Sequence, residues 1–213
     1  KYERVSFVFT GIFNVFRYRR SGGIVLYQRG DRSDDCDYRI CNLFCHISLW
    51  ETEVMGIKAV LFDLDGTLLP MDQDTFIKAY LGGMAKKLAP YGYNPDALVK
   101  AVYAGMKAMT TNDGSCTNET AFWNAFTGIL GEKVRDDMPI FDEFYRNEFQ
   151  DVKNICGFLP DAVKTVRKLK EMGYRVALAT TPMFPSIATE SRIRWAGLEL
   201  DDFEFFTTYE NYH

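Results

Sequence analysis

The stretch IKAVLFDLDGTLLP, Ile57–Pro70, constrains the fold of this chain more than any other. Its first six residues are too few for a stable helix. Almost all apolar, they suit a strand buried on both faces of a parallel sheet. The run stops at two aspartates, Asp63 and Asp65, spaced by one residue and followed by Gly66 and Thr67. Carboxylates at the end of a buried strand lose hydration and repel each other unless a cation or a reaction needs them. Ligands of open α/β sheets bind beyond the carboxyl ends of the strands. Extended geometry carried two residues further would put both acids on one side. Gly66 permits a tight turn there, and its missing side chain lets a phosphate or metal come close.

Two more apolar runs, YRVALAT (174–180) and FEFFTT (203–208), are predicted as strands. LPDAVKTVRKLKEMG (159–173) sets Ala162, Val163, Val166, Leu169 and Met172 at helical spacing, with Asp161 at its start and Gly173 past its end. PSIATESRIRWAGL (185–198) is a further helix, stopped at Gly197. Helices alternating with buried strands predict an α/β, Rossmann-like parallel sheet. Between about 70 and 153 the pattern is helical throughout. TFIKAYLGGMAKKL, PDALVKAVYAGMKAM, NETAFWNAFTGIL and IFDEFYRNEFQDV are separated by the turn signals YGYNP, TNDGS and Gly-Glu-Lys. A four-helix unit over 70–153 is thus expected inside a core made of 55–69 and 154–213. Phe122, Trp123 and Phe126 read as its packing rather than a ligand box.

Residues 1–54 differ from the rest. They contain no alanine or proline and carry seven arginines to one lysine, against six to eleven from Met55 onward. Alanine is normally among the commonest residues. The expectation is an extension unrelated to the remainder, with MGIKAVLF as a natural start. Cys36, Cys41, Cys45 and His46 could in principle bind zinc, but their spacing lacks the paired CxxC of strong zinc motifs. VSFVF and GGIVLYQR are candidate strands around a Gly-Gly turn. Five cysteines at irregular spacing do not read as a disulfide framework, so a reducing cytoplasm is expected. A net charge of −4 speaks against nucleic acid as main partner, and no apolar run is long enough for a membrane span.

DLDGTL after a buried strand resembles the first signature, DxDGT, of the haloacid dehalogenase superfamily. VALATTP supplies the Thr180 of its second signature, and the helical insert resembles the family's cap. The resemblance spans Met55 to His213. It implies Asp63 as nucleophile, forming an aspartyl-phosphate, and Asp65 as the group that protonates the leaving oxygen and then activates water. Magnesium (Mg2+) would bind the Asp63 carboxylate and the Asp65 backbone carbonyl. Thr180 would hydrogen-bond a phosphoryl oxygen, with backbone N–H groups near Gly66, Thr67 and Thr181. An acid at Asp65 favours phosphate chemistry, since the dehalogenase branch lacks one there. Leu68–Thr75 would be the flap on which the cap moves, and the cap loop TTNDGSC (110–116) would bear on specificity.

Two further signatures of the family, a lysine after the third strand and an acidic pair on the next, have no counterpart up to His213. Lys164, Lys168 and Lys170, on a helix before the second signature, are poor substitutes. The expectation is a fragment, weak or inactive, of a magnesium-dependent phosphatase acting on a small phosphorylated metabolite, with the first strand bare along one edge in 55–213 alone unless VSFVF or IVLYQR of the extension covers it. The alternatives are a phosphomutase of the same fold, or a non-catalytic phosphate- or partner-binding remnant.

Overall fold

The computed structural model describes residues 23–27 and 57–213. Three parallel strands, β1 (Gly23–Tyr27), β2 (Ile57–Phe62) and β3 (Arg175–Leu178), form a sheet in the order β1-β2-β3. In this register Val60 faces Val25 on one side and Val176 on the other. The apolar run at 57–62 therefore forms the central strand, and the edge expected to be bare in 55–213 alone is covered here by a strand of the extension, the less favoured of the two expectations. One edge of β2 pairs with β1, Gly23–Tyr27 of the extension, and the other with β3. The candidate strand VSFVF, the cysteine–histidine cluster at Cys36, Cys41, Cys45 and His46, and the seam at Met55 lie outside the described residues.

FEFFTT does run parallel to β3. Glu204 N–H donates to the Val176 carbonyl at 2.8 Å, Leu178 N–H to Phe205 at 3.0 Å, and Thr207 N–H to Leu178 at 3.1 Å. It forms one isolated bridge, Leu178 with Phe206, rather than a full strand, because the chain turns away at Thr208–Asn211. On β2, Val60 and Phe62 are buried, whereas Ala59 and Leu61 on the opposite face are only partly covered. The face alternation is thus stronger than a strand sealed on both sides would show.

The helical unit begins with α1 (Gln73–Leu88), whose first turn is capped by the Asp72 side chain accepting from Thr75 N–H at 2.8 Å. Asn94 and Thr117 cap α2 (Pro95–Thr110) and α3 (Asn118–Leu130) in the same way, and Pro95 takes the first helical position, where its missing N–H costs nothing. These two helices pack against each other with Gly105 under the Phe122 ring; a β-carbon there would lie 2.3 Å from Phe122 Cδ2. The fourth expected helix, over 140–152, is divided. An α-helix, α4 (Met138–Arg146), ends at Asn147 (φ −113°, ψ −85°), and a tighter 3-10 segment follows over Glu148–Ile155. This overwinding carries Phe149 inward, where its ring meets Tyr145 at 5.4 Å, Tyr80 at 5.9 Å and Trp195 at 5.0 Å. Burial of the Phe149 side chain outweighs the helix propensity of the residues that follow Asn147.

After this unit come α5 (Pro160–Glu171) and α6 (Ser186–Trp195), flanking β3 in sequence. Ala162, Thr165, Val166 and Leu169 make the buried stripe of α5, and Gly173 and Gly197 adopt positive φ just past the two helices, where glycine suits the left-handed turn. Trp123 and Phe126 are buried as expected of packing residues. No helix among the described residues is long and apolar enough to cross a membrane.

Candidate active site

Asp63 follows the last residue of β2, and the next residues fold into a compact turn. Thr67 N–H and Leu69 N–H both donate to the Leu64 carbonyl, at 3.1 and 2.9 Å, and Gly66 N–H donates to Leu69 at 2.8 Å. Gly66 sits at φ +76°, a conformation that other residues adopt only with strain. Leu64, Leu68 and Leu69 are buried beneath the turn. The apolar side chains that follow the acids in the sequence therefore fix the position of the acids themselves. Leu68 and Leu69, at the start of the expected flap, belong to this anchored turn. The chain is tied again at Pro70, whose carbonyl accepts from Gly157 N–H at 2.7 Å.

Thr67 Oγ1 donates to Asp63 Oδ2 at 2.9 Å. Burial raises the Asp63 carboxyl above its ordinary value; the Thr67 hydroxyl opposes this, and the neighbouring Asp65 charge adds to it. The Leu64 N–H and, least, the Thr180 hydroxyl also favour the charged form. Ala179 N–H donates to the Phe62 carbonyl at 2.7 Å, continuing the β2–β3 pairing to the very end of the strands. That bond sets Thr180 beside Asp63, so the structure brings the two signature stretches together. Thr180 is buried and its carbonyl accepts from Thr207 Oγ1; Thr181 is exposed. The N–H groups of Gly66 and Thr67 are already engaged inside the turn, which leaves the Thr67 hydroxyl as the group of that pair nearest to chemistry.

Sequence reading did not single out Arg192, on α6. It has no solvent exposure, and its Nη1 pairs with Asp65 Oδ2. Its Nη2 donates to Thr189 Oγ1 at 3.2 Å, its Nε to the Ala188 carbonyl at 3.3 Å, and its guanidinium lies 4.2 Å from the centre of the Phe184 ring. Burial runs around most of α6, taking in Ala188, Thr189, Ser191, Ile193 and Trp195, so no one-sided periodicity pointed to Arg192, and an arginine inside such a helix needs an anion.

Asp65 Oδ1 is buried without a hydrogen-bond partner among the described residues. An orphaned carboxylate oxygen next to a second carboxylate held up by burial is a donor set that suits a hard, oxygen-seeking cation. Among the described residues no three His, Cys, Asp or Glu side chains converge, so these side chains alone would not complete its shell. The cap loop at 110–116 folds against the C-terminal stretch: a β-carbon on Gly114 would lie 3.1 Å from His213 Cδ2. Lys164 and Lys168 pair with Asp161 and Glu171, and Lys170 with Asp202, so none of the three is directed to the acids.

The family model for haloacid dehalogenase-like hydrolases matches residues 57–209. A solved structure, a haloacid dehalogenase-like hydrolase from Bacteroides fragilis, is similar at 19% identity and a TM-score of 0.35, over 73% of this chain. The chain spans 65% of the length of that protein. No curated protein matches the chain.

Proposed function

The chain belongs to the haloacid dehalogenase-like hydrolase family, and from that premise we propose that it is a magnesium-dependent phosphatase acting on a small phosphorylated metabolite. The observation that carries this reading is the acid pair at the end of β2, with Thr67 and Thr180 beside Asp63 and Asp65 two residues beyond it. In the first step an Asp63 oxygen bonds to phosphorus while the ester P–O bond breaks, and Asp65 gives its proton to the leaving oxygen. In the second, Asp65 takes a proton from water as the water oxygen attacks phosphorus, and Asp63 is released with inorganic phosphate.

The Asp63 carboxylate and the Asp65 backbone carbonyl would hold magnesium, whose contribution is to offset the charge of the phosphoryl oxygens. Thr67 orients Asp63 through its hydroxyl, and Thr180 offers a hydroxyl donor to the phosphoryl group. Gly66 shapes the turn, and Thr181 presents its N–H at the mouth of the site. The helical unit over 70–153 acts as the cap that closes over the substrate.

Turnover of p-nitrophenyl phosphate by the wild-type chain and by Asp63→Asn, each with and without magnesium, tests the reading. Asp63→Asn is expected to lose about three orders of magnitude or more, because no other group can form the covalent intermediate. Near-wild-type turnover in that variant would overturn the assignment.

A further inference from the structure

Resting on the phosphatase reading, the geometry points to Arg192 as a positioning residue that holds Asp65 in place for proton transfer. The guanidinium is fully buried and restrained from three directions, by the Thr189 hydroxyl, the Ala188 carbonyl and the Phe184 ring. It cannot reach a substrate without leaving this seat, so it acts through Asp65. It binds Asp65 Oδ2, and Oδ1 is left buried and without a partner. The two oxygens are therefore distinguished by geometry: Oδ2 is fixed by the guanidinium, and Oδ1 is the one without a partner among the described residues. A carboxylate on a short side chain beside a glycine turn would otherwise sample several rotamers.

Stability alone gives a poor reason for this arrangement. A buried ion pair is seldom more stabilising than apolar residues of similar size. The pair also links α6 to the nucleophile turn.

The two half-reactions separate the idea from a merely structural role. A p-nitrophenolate leaving group departs without a proton, whereas an alkoxide does not; hydrolysis of the aspartyl-phosphate needs Asp65 as base in both cases. For Arg192→Met we expect a burst of about one p-nitrophenolate per active site, then steady-state turnover about a hundredfold below wild type, with KM little changed. Acid quenching should trap phosphate on Asp63. Propyl phosphate should give no burst and a similar or larger loss. Arg192→Lys should recover part of the rate, and Asp65→Asn should reproduce the burst. Wild-type turnover in Arg192→Met, or a folded variant that loses burst and turnover together, would overturn the inference.

Should Arg192→Met fail to fold, the side-chain nitrogen resonances of Arg192 in the wild-type chain supply the second measurement. They should move on Asp65→Asn and stay in place on Asp63→Asn; the reverse pattern would overturn the pairing. The phosphatase reading fails by a different route, through a wild type without magnesium-dependent release or an Asp63→Asn that keeps its burst. Either result would remove the inference as well.

Discussion

Asn118 donates through its side-chain amide to the Pro182 carbonyl at 3.0 Å, tying the first turn of α3 to the loop that carries Thr180 and Thr181. The same residue accepts from Asn112 Nδ2 at 2.9 Å, and its backbone N–H donates to Tyr212 at 2.9 Å. Glu119 N–H donates to Tyr209 at 2.8 Å. Two N–H groups that an isolated helix would leave to water are satisfied by the core instead. The helical unit is thus fastened at this end as well, far in sequence from the Leu68–Thr75 connection.

Asn118 is 3% exposed, so its bonds cannot be replaced by water without rearrangement. Asn118→Ala is expected to lower unfolding free energy by about 1–3 kcal/mol. Hydrogen exchange at the residue-118 and Glu119 amides should speed up more than in the middle of α3. Unchanged exchange at both amides would show that the cap is held elsewhere.

The raised Asp63 carboxyl carries a sign for stability. Burial, the largest cause, disfavours the charged form in the folded state, and the neighbouring Asp65 adds to it. The folded chain therefore holds this proton longer than the unfolded chain, whose value is 3.8. The contribution is complete below that value and is lost as pH rises through the folded-state value. In a metal-free chain, Asp63→Asn should become progressively more stable relative to wild type across that window. Urea midpoints at a series of pH values, with a chelator present, check this; a gap that stays constant or narrows as pH rises contradicts the assigned cause.

Two glycines in helices should respond to alanine with opposite signs. Gly82 in α1 has open space around its missing β-carbon, so Gly82→Ala should stabilise by about 0.5–1 kcal/mol. Gly105→Ala would meet the Phe122 ring at 2.3 Å and should destabilise by about 1–3 kcal/mol before the propensity gain is counted. In a Phe122→Ala background the same Gly105→Ala change should turn stabilising. Denaturant melts of the four variants decide, and a destabilising Gly105→Ala in that background would assign its effect to something other than the ring.

The acid pair and its strand were legible because their signals are local. An apolar run of strand length ending at Asp63, a turn glycine and a threonine four residues from Asp63 all lie within one short stretch. Likewise the starts of α2 and α3 follow from Asn94, Pro95 and Thr117, whose side chains or missing N–H act within their own turn. The break at Asn147 was not legible, since it depends on Phe149 meeting Tyr80 and Trp195, which are distant in sequence. Arg192 was missed for a related reason. A charged residue in a helix reads as solvent-facing where no one-sided periodicity marks it, and its partner Asp65 lies 127 residues away. FEFFTT was read as a strand, and it pairs with β3 at one bridge only, because an aromatic run tells neither which neighbour it will meet nor how far pairing will extend.

The sheet order also sets a timetable for synthesis. β1 leaves the ribosome before β2, and β3 follows only after the whole cap has been made. A nascent β2 therefore meets its first neighbour almost at once and waits for the second, whose contacts span a long loop and close slowly. During that interval β1 shields one edge of the most apolar strand from other chains. The segment that composition marks as foreign to the rest of the chain would then act as an early guard for β2, holding it in register until Thr180 can arrive beside Asp63.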